Sequence, residues 1–232
     1  MSASRTARER VRAELTREIK DEARRQLTIS GAPGLSLRAV ARELGMVSSA
    51  LYRYFASRDE LLTALIIDAY EALAGEVEAA DRGAPPADFR ARWQAVCRTA
   101  RGWAIAHPHE YALVYGSPVP GYQAPEATIA PASRMPIAIM AIIRDAHEAG
   151  ALADPADEEP LPPILTDQTA RIAAFISPDI PGHLIVRGAV AWTQLFGMVT
   201  FELFGQYANT LDPADAFFDH TVHRMADLIG LP

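Results

Sequence analysis

The 232-residue sequence predicts an all-α protein, a small N-terminal three-helix unit followed by a larger helical body. Three observations lead there. Apolar residues recur every three or four positions in the segments between breaks. Gly31, Pro33 and Gly45 fall between those segments. Half of the residues are apolar and mean hydropathy is near zero, which describes a globular chain able to bury a core.

From about Thr6 to Ser30, the residues Val11, Leu15, Ile19, Ala23 and Leu27 recur every four positions between charged ones, the pattern of one long amphipathic helix. Gly31 sits where such a helix ends, and Pro33 confirms the break. Ser36 then precedes Leu37, Val40, Ala41 and Leu44, a short helix with a serine N-cap that Gly45 closes. After a brief turn, Leu51 and Phe55 form the buried stripe of a second short helix, "SSALYRYF", with Ser48, Ser49, Ala50 and Arg53 outside. Ser57 and Glu60 make a capping box that opens a third helix through Leu61, Leu62, Leu65, Ile66, Ala69 and Leu73.

Two short helices joined by a glycine-containing turn, after a longer one, make a helix-turn-helix, and its second helix has the width of a DNA major groove. Small or hydrogen-bonding residues suit a reading surface, which nominates Ser48, Ser49 and Arg53 for bases. Arg53 fits guanine, or a phosphate instead. Arg58 stands at the positive end of its helix, where a cation is disfavoured, so it either meets a DNA phosphate or points into water. Charge is unevenly placed. The chain carries a net −7, yet residues 1–60 hold 12 Lys+Arg against 8 Asp+Glu, a net +4, and the remainder holds a net −11. A basic end on an acidic body agrees with binding nucleic acid by that end, and equally with a solvated charged helix.

The stretch "GLSLRAVARELGMVSSALYRYFASRDELL" resembles the DNA-binding domain of the tetracycline-repressor (TetR) family over about residues 10–65. Ser36, Val40, Ala41, Gly45, Leu51, Tyr52, Tyr54, Phe55, Ser57, Arg58 and Leu61 occupy the motif positions. The resemblance implies that Ser36, Tyr52, Tyr54 and Arg58 hold phosphates while Ser48, Ser49 and Arg53 face bases. Val47 replaces the usual capping residue, which allows Ser48 to be the cap instead of a reader. Ala50 replaces a threonine, and Arg58 replaces a lysine. An extension with Arg5, Arg8, Arg10 and Arg12 is read either as a phosphate or minor-groove arm or as a soluble end.

The larger part begins with a helix over about Asp88–His107, carrying Phe89, Trp93, Val96, Ala100 and Trp103, and restarts at Pro108. Residues 116–136 hold five prolines and two glycines, so an ordered loop with a kinked helical stretch is expected before a helix at Ile137–Ala149. "GALADPADEEPLPP" reads as an acidic linker, and Pro163–Phe175 as a further helix. Leu184–Phe204 is long and apolar enough to suggest a membrane span, but Arg187, Gln194 and Glu202 interrupt it, so a core helix over about His183–Tyr207 is expected, followed by Ala214–Ile229. Small residues Gly188, Ala189, Ala191 and Gly197 there allow close approach of a partner.

The expected organisation is therefore a helix-turn-helix DNA-binding domain at 1–60 and a helical effector-binding and dimerisation domain at 61–232. By resemblance, the last two helices pair with those of a second subunit in a four-helix bundle, and the homodimer reads a palindromic operator on double-stranded DNA. Trp103, Tyr111, Tyr115, Tyr122, Met140, Phe175, Trp192 and Phe196 either line a pocket for a small-molecule effector or are plain core. No G-x-S-x-G, P-loop, dinucleotide, H-E-x-x-H or C-x-x-C motif occurs, so an enzyme is not expected, nor a cofactor or metal. His220 and His223 lack a third ligand beyond Asp219. Cys97 is a lone, core-type cysteine. The arginine-rich start has no signal-peptide core, which points to the cytoplasm and away from membranes. A dimeric small-molecule sensor or protein-interaction module of the same fold without DNA binding is the alternative reading.

Overall fold

The computed structural model describes residues 2–153 and 160–232, with side chains from residue 7 onward. Arg5 and the middle of the acidic linker lie outside the described side chains and residues. Every regular element among the described residues is a helix: α1 (Ser2–Ser30), α2 (Leu37–Glu43), α3 (Ser48–Leu51), α4 (Arg58–Gly83), α5 (Phe89–Ala106), α6 (Pro108–Tyr115), α7 (Ile129–Glu148), α8 (Pro163–Ile176), α9 (Gly182–Leu203) and α10 (Asp215–Ile229), with two short 3-10 turns. They form two compact units. The chain to Tyr70 together with His107–Ala130 makes one, and Glu71–Ala106 with Pro131–Pro232 makes the other.

The first unit is organised around the apolar stripes legible in the sequence. Ile19, Ala23 and Leu27 of α1 meet Leu37, Val40 and Ala41 of α2, Leu51 of α3, and Leu61, Leu62 and Leu65 of α4, all buried. A fully buried aliphatic side chain of this kind contributes about 1.5–3 kcal/mol. Leu113, Val114, Val119 and Tyr122 pack on the same cluster, so α6 and the proline-rich loop after it belong to this unit. Tyr122 Oη lies 2.8 Å from Thr63 Oγ1. Gly45 has φ +63°, a left-handed turn after α2 that a side chain would strain.

The second unit is tied by charged side chains in apolar surroundings. Arg92 reaches Asp81 at 2.7 and 3.0 Å and Asp145 at 2.9 Å. Arg101 forks onto Glu202 at 2.7 and 2.6 Å and also reaches Asp215 at 2.9 Å. Trp93 is fully buried and donates to the Val222 carbonyl at 3.0 Å. Cys97 is core, and burial pushes its thiol well above the ordinary value.

Three expectations are corrected. The reading helix "SSALYRYF" is α-helical only over Ser48–Leu51; residues 52–54 close in a tighter turn, with Tyr54 N–H bonded to the Leu51 carbonyl. Helix α7 starts at Ile129, not Ile137. Pro131 falls in its first turn, where a missing N–H costs nothing, and Pro136 is accommodated within it. The small residues of α9 do not share one face. Gly188 is buried, and a Cβ there would lie 2.6 Å from Met140 Sδ, so Gly188 admits α7 of its own chain, whereas Ala189 and Gly197 are exposed.

By length and composition two helical stretches, Glu126–Glu148 and Gly182–Leu203, are apolar enough to cross a bilayer. Arg187 is buried within α9 and donates to the Ile229 carbonyl at 3.4 Å, the behaviour of a core helix.

Candidate nucleic-acid interface

The reading surface is short because Leu51 and Phe55 anchor it. Both are buried, which leaves Ser49, Tyr52 and Arg53 exposed around them, with Ser48 half-buried. Val47, in extended conformation, occupies the N-cap position and makes no side-chain cap; Ser48 is the first helical residue, so it is not the cap. Ser36 does cap α2: its Oγ accepts from the Ala39 N–H at 3.4 Å. Its own N–H donates to Gln26 Oε1 at 3.4 Å.

The start of α4 carries the expected capping box with one shift. Ser57 Oγ accepts from the Glu60 N–H at 3.1 Å, while Glu60 Oε2 accepts from Ala56 N–H at 2.6 Å, one residue ahead of the usual partner. Arg58 does not simply point into water. Its Nη2 donates to the Ala32 carbonyl at 2.7 Å, its Nε to the Leu35 carbonyl at 3.2 Å, and its Nη1 pairs with Asp59 at 3.2 Å. It thus staples the turn after α1 to the start of α4. Sequence reasoning missed these partners because carbonyls 23 and 26 residues away leave no periodic signature.

A charged network joins α1, α4 and α6 in this unit. Lys20 and Arg24 both reach Asp68 at 2.7 Å, Arg24 reaches Glu110 at 3.0 Å, and His107 Nδ1 lies 3.1 Å from Glu110. Burial opposes the Arg24 charge, but Glu110 and Asp68 outweigh it and hold its pKa above the ordinary value.

The helix-turn-helix is one of two places where the chain matches known families. Residues 19–65 match the family model described as bacterial regulatory proteins, tetR family, and residues 93–225 match that of the tetracyclin repressor-like C-terminal domain. The chain belongs to the TetR family. HTH-type transcriptional regulators of Mycobacterium tuberculosis (Rv1816) and Mycobacterium bovis (Mb1846) are 39% identical over 217 residues, covering 93% of this chain and 90% of theirs. The crystal structure of regulatory protein SCO4313 superposes with a TM-score of 0.76 at 31% identity, covering 94% of this chain and 98% of that one. A structure of a protein from Rhodococcus sp. RHA1 gives 0.68 at 26% identity, covering 93% of each chain. This TetR-family chain is accordingly a transcriptional regulator with a DNA-binding helix-turn-helix and an all-α fold.

The TetR-type C-terminal unit holds an open groove of about 790 Å³ among α7, α8 and α9, lined by Ile137, Ile172, Phe175, Ile185 and Val190, with Gln168, Thr169 and Arg171 among its polar side chains. Of the eight expected effector residues, Phe175 lines it and is 90% exposed. Trp103, Met140 and Phe196 are buried in this unit, and Trp192, half-buried, stacks edge-on to Phe196 at 6.1 Å. The Trp192 Nε1 is buried without a hydrogen-bond partner among the described residues. Tyr111, Tyr115 and Tyr122 lie in the helix-turn-helix unit. Tyr111 and Tyr115 pack together at 5.3 Å, and burial pushes the Tyr115 hydroxyl up. Along α9 and its C-cap, Val190, Gln194, Gly197, Phe201 and Phe204 form an exposed stripe with alternating steps of four and three. Among the described residues no three His, Cys, Asp or Glu side chains come together as a metal set.

Proposed function

We propose that the protein is a homodimeric, ligand-responsive regulator, a repressor, that binds a palindromic operator. The reading rests most on the exposed set Ser49, Tyr52 and Arg53, held rigidly by buried Leu51 and Phe55 in an arrangement that meets a major groove. Ser48, Ser49 and Arg53 face the bases, and Ser36, Tyr52, Tyr54 and Arg58 contact phosphates. Arg58 gives the backbone whatever donor capacity remains beyond the Ala32 and Leu35 carbonyls.

The exposed α9 stripe, together with half-exposed Leu228 of α10, supports pairing of the last two helices with those of a second copy. Such pairing sets two recognition helices about 34–36 Å, or a multiple of one helical turn, apart. The groove at Phe175, apolar along Ile137, Ile172, Ile185 and Val190 with Gln168 and Arg171 at hand, supports an effector that is mainly apolar and carries a polar group. Effector binding would shift α4 and spoil the half-site spacing, a coupling between two sites.

Selection of bound sequences from a random duplex library at two salt concentrations tests the reading. An enriched palindrome supports it. A folded dimer that enriches nothing refutes DNA binding and leaves a small-molecule sensor of the same fold.

A further inference from the structure

Along α1 the stripe that faces the rest of its unit changes character. Ile19, Ala23 and Leu27 are buried. Toward the N-terminus that stripe continues through half-buried Leu15 and exposed Val11, and Thr16, three residues before Ile19, starts a parallel line of four-residue steps through Arg12 and Arg8 on the adjoining side of the helix. Two arginines thus stand beside the apolar seam near the start of α1.

Arg12 is held against the reading element. Its guanidinium carbon lies 5.3 Å from the Tyr54 ring centroid, and its Nη2 donates to the Arg53 carbonyl at 3.3 Å. Ala7, Arg8, Val11, Arg12 and Tyr54 enclose an open hollow of about 430 Å³. Arg8 is exposed there, and no ion pair joins it to another described residue. The hollow thus presents two guanidinium groups, one positioned by an aromatic ring and one free, directly beside the two residues that precede Phe55 in the reading turn. Guanidinium forks match phosphate oxygens in shape and charge, and a cation already packed on an aromatic ring loses little further freedom on binding. An apolar or cationic occupant would meet the wrong charge.

We infer that the hollow formed by Arg8, Arg12 and Tyr54 is an additional phosphodiester-binding site, engaging the DNA backbone next to the groove that Ser49 and Arg53 enter. It rests on the DNA-binding reading above and adds contacts that are independent of base sequence. In a dimer the site occurs twice.

The test is the salt dependence of binding by the full-length protein to two labelled duplexes, one recovered by selection and one scrambled. Each phosphate contact adds about 0.9 to the magnitude of the slope of log K against log salt, so Arg8→Ala, lost from both subunits, lowers it by about 1.8. Between about 50 and 200 mM salt the variant then loses roughly tenfold less affinity than the parent. The flattening appears on both duplexes, and Arg8→Lys keeps the parental slope. Arg10 lies about 200° around the helix from Arg8, so Arg10→Ala leaves the slope unchanged. Equal slopes for Arg8→Ala and Arg10→Ala would mean general charge rather than a site, and a parental slope for Arg8→Ala would mean no contact; either overturns the inference. If those results come while Arg53→Ala still alters sequence preference, only this inference falls. If the parent binds neither duplex, the DNA-binding reading falls with it.

Discussion

Replacing Phe201 and Phe204 together by alanine tests the proposed dimer where its energy should concentrate. These side chains are 52% and 48% exposed, and they stand three residues apart on the outer stripe of α9. Full burial of a phenylalanine is worth up to about 3 kcal/mol, so covering the exposed half of each ring contributes about 1 kcal/mol. A symmetric interface buries four such rings, about 4 kcal/mol in all, which at 1.4 kcal/mol per decade is nearly a thousandfold in the dimer dissociation constant. Sedimentation equilibrium over a dilution series reads that constant, and far-UV circular dichroism checks that the monomer remains helical. Phe201 also packs edge-on to Tyr207 at 5.9 Å, so a small loss of monomer stability accompanies the change. Operator affinity should fall in parallel because two half-sites are no longer linked. A double variant whose dimer constant stays within tenfold of the parent would refute the placement of the interface on this stripe.

Arg53→Ala should relax preference at one base position in each half-site, a change of about 1–3 kcal/mol seen by competition among single-base operator variants, whereas Tyr52→Phe should weaken all sequences alike. Arg58→Ala should lower operator affinity for every sequence and also reduce thermal stability, because the Ala32 and Leu35 carbonyls lose a charged donor worth about 1.5–3 kcal/mol; unchanged operator affinity with lowered stability would leave Arg58 a purely structural staple. Burial alone would raise the Asp145 pKa, but hydrogen bonds from Arg144 and Arg92 outweigh it and place it below the ordinary value of 3.8. A depressed carboxylate stabilises the fold above its unfolded pKa, and that stability is lost as pH falls through the lower, folded value. Arg92→Gln should therefore move the acid-unfolding midpoint to higher pH, as followed by circular dichroism.

The apolar stripes of α1, α2 and α4 were legible because each lies within one helix and repeats at its period: Ile19, Ala23, Leu27 and Leu61, Leu65 needed no knowledge of their neighbours. Breaks at Gly31 and Gly45 were legible for the same local reason, since φ +64° and +63° suit glycine. The caps at Ser36 and Ser57 depend on residues three positions away, and they too formed where expected. Local spacing and the motif around Tyr52–Arg58 were thus enough for the fold class, the order of helices and the family.

What required the tertiary structure were contacts between residues far apart in the chain. Nothing near Arg58 announces the carbonyls of Ala32 and Leu35, and nothing near Gly188 announces Met140, whose sulfur occupies the space a Cβ would take. Tyr122 reads as either pocket or core along the sequence, and the structure packs it on the helix-turn-helix core, where it meets Thr63. Phe175 reads as either pocket or core, and only the packed helices leave it 90% exposed along a groove. The physical reason is common to all four. Helical periodicity tells a chain which face of each helix to bury, but the partner for that face, and the polar group that satisfies a buried charge, are decided only when separate helices pack together.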